Sequence, residues 1–169
     1  MKKLTKLFAI ALLSVMAITL VACGGAPSFA KNPDSNPDKL VKTLEDKGFE
    51  ADKMETDDLS FLDIDADAEG VECVVMGMKM DPDLSDISDL DELKKIKKIT
   101  MEVIVVVYFD TADNAKTFFK EAKSELKKAM DDELDSPGMK DVKVSSDVSQ
   151  SGKTVTLYVK ATAKLDMDF

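Results

Sequence analysis

Histidine, arginine and tryptophan are all missing from this chain. Without histidine there is no Ser-His or Cys-His nucleophile pair, and no imidazole to hold zinc. Without arginine there is no bidentate fork for phosphate or carboxylate, since all 23 basic residues are lysines. No nucleophile elbow, phosphate loop or spaced pair of metal ligands is present. Acid–base work by lysine and carboxylate stays chemically open, but nothing singles out a pair among 33 acids. These absences point away from an enzyme.

Cysteine is nearly absent too. Only Cys23 and Cys73 occur. Cys73 lies in Val71-Glu72-Cys73-Val74-Val75, a strand-like apolar run in which a small buried hydrophobe is expected. The charges beside it in sequence, Glu69 and Glu72, are negative and would not activate a thiol.

The N-terminus is the most specific stretch. Lys2, Lys3 and Lys6 precede an apolar run from Leu7 to Val21, broken only by Ser14 and Thr19. Ala22, Cys23, Gly24 and Gly25 follow. That is the three-part layout of a secretory signal peptide. The run is short of the roughly 20 apolar residues that a bilayer-spanning helix needs. Leu20-Val21-Ala22-Cys23 resembles the lipobox of bacterial membrane lipoproteins. The resemblance covers only this leader and implies cleavage between Ala22 and Cys23 with a diacylglycerol on Cys23. Two acyl chains hold a protein on a membrane where one does not. Ser28-Phe29-Ala30 imitates an ordinary A-x-A cleavage site. The expected organisation is a leader over residues 1–22, a lipidated cysteine and flexible linker over 23–36, and one α+β domain over 37–169. The expected location is the cell membrane, facing outside the cytoplasm.

From Cys23 onward the chain carries 20 lysines against 33 acids, a net charge of about −13. Such a surface disfavours nucleic acid and anionic lipid headgroups, since both repel it, and suits a soluble domain held off a membrane by a tether. It suits a cation or a basic partner. Only Cys73 would remain free, so no intramolecular disulfide supports the core.

The rest of the chain alternates between helical and strand patterns. Asn36-Pro37-Asp38 announces a helix, with Asn as cap, Pro at the first position and Asp at the positive dipole end. Leu40, Val41 and Leu44 form its stripe, Gly48 its stop, and Phe49 a return to the core. Residues 51–70 are acidic, with a short strand or a loop pinned by Phe61. Val71 to Met80 is a strand. Ser88 and Asp91 resemble a capping box before a short helix carrying Leu90, Leu93 and Ile96. Ile99 to Phe109, apolar on both faces near its end, is a strand that should be central or covered. A helix capped by Asp110 or Thr111 runs to about Met130, with Ala115, Phe118, Phe119 and Ala122 in its stripe. Val142 to Ser149 and Lys153 to Ala163 form a hairpin around Ser151-Gly152. The order α-β-β-α-β-β predicts a two-layer α+β sandwich: about four mostly antiparallel strands, with two main helices on one face.

Three candidate surfaces follow. Asp63, Asp65, Asp67 and Glu69 alternate in an acidic loop that superficially resembles a Ca²⁺ site, although Ala68 and Val74 stand where an EF-hand has its glycine and bidentate glutamate. A second acidic run, Asp81, Asp83, Asp86, Asp89 and Asp91, could converge on the first. Met76, Met78 and Met80 share one strand face, with Met101 a possible fourth, and would suit Cu(I) or simply fill a core. Thr154, Thr156, Tyr158, Lys160 and Thr162 form a polar strand face open to a protein, peptide or glycan. The expected function is a non-enzymatic binding module held on the membrane by lipid. An acidic Ca²⁺-binding domain is the alternative.

Overall fold

The computed structural model of the chain describes residues 26–55, 70–82, 96–133 and 142–164. In chain order the elements are α1 (Ser28–Lys31), α2 (Pro37–Glu45), β1 (Glu50–Met54), β2 (Val71–Asp81), β3 (Lys98–Phe109), α3 (Ala112–Glu133), β4 (Val142–Ser151) and β5 (Thr154–Lys164). The five strands form one antiparallel sheet in the order β1-β2-β3-β5-β4. The α+β class and the antiparallel sheet agree with the sequence reading. The expected four strands are five among the described residues, because β1 pairs with the outer side of β2.

The predicted helix start holds. The Asn36 side chain accepts from the backbone N–H groups of Asp38 (3.0 Å) and Lys39 (3.2 Å), and Pro37 takes the first turn. At the other end the Phe49 N–H donates to the Leu44 carbonyl at 3.0 Å, and Phe49 turns back into the core. For α3, the Thr111 hydroxyl accepts from the Asn114 N–H at 3.2 Å. The hairpin closes at Gly152-Lys153, with Gly152 at φ 56°.

The two main helices do not share a face, contrary to expectation. Residues 104, 106 and 108 of β3 point to one side with Cys73 and Val75, where Leu40 and Leu44 of α2 and Ala30 of α1 cover them. Residues 103, 105, 107 and 109 point to the other side with Val74 and Val155, where Ala115, Phe118 and Phe119 of α3 cover them. β3 is therefore apolar on both sides because both sides are roofed, as a central strand requires. A two-layer sandwich would have left one of these rows wet.

Close approach of α2 depends on Gly77. A Cβ there would stand 3.1 Å from Leu44 Cδ1 and 3.1 Å from Ile104 Cγ2. Gly77→Ala is expected to cost about 1–3 kcal/mol by overpacking, read as a lower denaturant midpoint with an unchanged slope.

The segment expected to be a flexible linker is packed from Ala26 onward. Ala30 is fully buried and Ala26 nearly so. The Ala26 N–H donates to Asp147 Oδ2 (3.2 Å), the Ser149 hydroxyl to the Ala30 carbonyl (3.5 Å), and the Tyr108 hydroxyl to the Asp34 carbonyl (2.7 Å). Small residues that read as linker in sequence are here the ones that fit closely against a sheet.

Candidate functional site

The packed N-terminal segment covers only half of its face of the sheet. Its edge, the turn after α2 and three strands border an open groove of about 460 Å³, lined by Pro27, Phe29, Lys47, Phe49, Lys79, Glu102, Tyr158 and Lys160. Strand register sets the floor. Lys79 of β2 lies opposite Glu102 of β3, which lies opposite Lys160 of β5. Opposite charges thus alternate across three neighbouring strands, a favourable cross-strand arrangement.

Glu102 is the pivot of this row. Its Oε1 accepts from Lys160 Nζ at 2.9 Å and its Oε2 from the Tyr158 hydroxyl at 2.6 Å. Burial pushes the Glu102 carboxyl up, but the Tyr158 and Lys160 hydrogen bonds and the Lys160 and Lys79 charges outweigh it and hold it below its ordinary range. Burial, and then the carboxylate it serves, push the Tyr158 hydroxyl well above its ordinary range. Tyr158 is therefore a neutral donor. A group whose folded pKa is lowered stabilises the fold above its unfolded pKa and loses that contribution as pH falls through the folded value. Glu102→Gln is accordingly expected to flatten the acid limb of a Tm-against-pH curve below about pH 4.3, while the wild type falls more steeply there.

The lysines stand at the walls. Lys79 Nζ donates to the Lys47 carbonyl at 2.8 Å and sits 5.9 Å from the Phe49 ring centre. Lys47 Nζ lies 5.0 Å from the Phe29 ring centre. The two rings meet edge to face at 6.1 Å. Ammonium over aromatic faces is a favourable placement. The groove thus offers three ammonium groups, one carboxylate already engaged, and two phenyl walls. Chemically it suits an anion carrying some apolar surface.

Of the candidate site residues singled out in sequence, Tyr158 and Lys160 line the groove and the others fall elsewhere. Cys23 and Ala22 lie outside the described residues, as do Asp63, Asp65, Asp67 and Glu69 and the short helix expected after Ser88. Asp81 ends β2 on the groove side of the sheet. Among the described residues no three cysteine or acidic side chains are gathered to hold a metal ion. Met76, Met78 and Met101 pack half-buried around the α3-side core, joined there by Met54. The polar face of β5 is not uniformly open. Thr154, Thr156 and Tyr158 are buried under the N-terminal segment, and only the half from Lys160 onward is accessible. Cys73 is buried beneath α2, where burial pushes its thiol up despite the nearby Lys53.

Nothing local in the sequence marks Lys47, Phe29 or Lys79 as groove residues. They come from three separate stretches, and no local spacing links them. The alternation of Lys79 and Lys160 with apolar neighbours was visible, but their meeting needed the sheet order.

Among the described residues no helix is long and apolar enough to cross a membrane. No protein family, curated protein or solved structure matches this chain.

Proposed function

We propose that this chain is a membrane lipoprotein, anchored through Cys23 outside the cytoplasm, that acts by binding rather than by catalysis, with the lysine–phenylalanine groove as its site for an anionic ligand. The observation that carries the binding reading is the convergence of Lys47, Lys79 and Lys160 on one groove in a chain of net charge −10. Scattered lysines on an acidic surface are solvated individually. Three around one groove, against the single carboxylate of Glu102, leave it net positive where the surroundings are negative.

The lipobox-like Leu20-Val21-Ala22-Cys23 supports the anchor. The fold argues against the competing cut after Ala30, because that cut would remove α1 and the buried Ala26 and Ala30 from the sheet.

The groove is tested by NMR titration of the chain with benzoate, and separately with inorganic phosphate, following the lysine side-chain signals. Weak binding, roughly millimolar, is expected for such small probes. Saturating shifts at Lys47, Lys79 and Lys160, absent at Lys116 and Lys120 on α3, are the expected result. Equal shifts at all lysines would show only general ionic attraction and overturn the site.

A further inference from the structure

The groove is one end of a larger lysine field. Beyond the N-terminal segment the same sheet face continues for three rows. The first row holds Lys79, Glu102, Lys160 and Ser145, the second Asp81, Thr100, Thr162 and Lys143, and the third Lys98 and Lys164. Among the described residues, five lysines on four strands thus face two acids, with Lys47 at the rim. Lys98, Lys143 and Lys164 are exposed. The acidity of the chain as a whole hides this asymmetry.

The second observation is where the chain enters the fold. Ala26 is pinned to Asp147 beside the groove, and Pro27 lines it. Cys23 precedes Ala26 by three residues. Even fully extended, three residues reach only about 11 Å. A lipid on Cys23 therefore holds this sheet face, and not a distant linker, near the bilayer. That distance is comparable to the roughly 8 Å over which charge is felt at physiological salt.

We infer that the lysine-bearing half of this face lies against anionic phospholipid headgroups, and that the anion the groove takes is a headgroup phosphate. This rests on the anchored reading above. The lipid supplies the affinity, since a net negative chain is not drawn to an anionic membrane. The charge asymmetry supplies the orientation. The lysines of this face turn to the bilayer, and α3 on the opposite face turns to solvent.

The test is lysine footprinting of the full-length protein, as processed by its host, in nanodiscs of anionic or zwitterionic lipid, using a sulfonated acylating reagent. At a surface near −30 mV a singly anionic reagent is depleted about threefold before any steric cover. Lys79, Lys98, Lys143, Lys160 and Lys164 are expected to react at least about threefold more slowly in anionic than in zwitterionic discs. Lys116, Lys120 and Lys123, exposed on α3 at the opposite face, are expected to react alike in both. Molar salt should abolish the difference. In K98Q/K143Q/K164Q, whose changed residues lie outside the groove, the remaining face lysines should lose most of their protection. Equal rates for the two sets of lysines in anionic discs, or equal protection in both lipids, overturns the inference. Palmitate labelling of wild type and Cys23→Ser, run in parallel, tests the anchor separately. A chain held in the disc by an uncut leader still reports which face meets the lipid.

Discussion

Phe109→Ala is expected to destabilise the fold by about 3–5 kcal/mol. Phe109 is 1% exposed at the end of the central strand, and its ring lies 5.3 Å from that of Phe118 on α3. Truncation leaves a cavity beside Val71, Val107, Val155 and Phe118, its neighbours on that side of the sheet. Removing the ring also ends the aromatic pair, worth a further fraction of the same magnitude. A fall in Tm of roughly 10 °C or more should be seen, with the denaturant slope unchanged if unfolding stays two-state.

Leu44→Ala is expected to cost about 2–5 kcal/mol from the other side of the sheet. Leu44 is fully buried where α2 sits closest to β2, over Gly77. Gly77 has no side chain to fill the vacated space, so relaxation depends on α2 moving bodily inward. Helix α2 has only nine residues and relies on this packing to exist at all. The loss should reach the groove as well, because Lys47 and Phe49 follow directly from the end of α2. The two substitutions act on cores divided by the sheet. Their effects should add to within about 0.5 kcal/mol, since they share no contact. Strong coupling between them would mean the two cores are one.

Much of the framework was readable from residue order. The caps of α2 and α3, strands β2 and β3 and the final hairpin are written in local chemistry: Asn36-Pro37, Thr111, β-branched alternation, and Ser151-Gly152. β1 was not, because Glu-Ala-Asp-Lys-Met has no apolar alternation. Its strand state comes from pairing along β2, and its outward residues remain charged. The side on which each helix packs was not readable either. Alternation in β3 shows two apolar rows but not that separate roofs cover them. Thr154 and Thr156 read as a wet face because threonine suits a strand whether covered or not. Their burial comes with the packing of the N-terminal segment on β4 and β5, more than a hundred residues away in sequence. For the same reason the groove stayed hidden. Its row Lys79, Glu102 and Lys160 exists only once three strands are placed side by side in register.

The anchor is the premise on which membrane placement and groove orientation both depend. The most direct measurement is the intact mass of the protein purified from the membranes of a host that processes lipoproteins. A chain beginning at Cys23, heavier than its residues by at least a diacylglycerol, is expected. A chain beginning at Met1, or one cut after Ala30 without added lipid, would contradict the anchor.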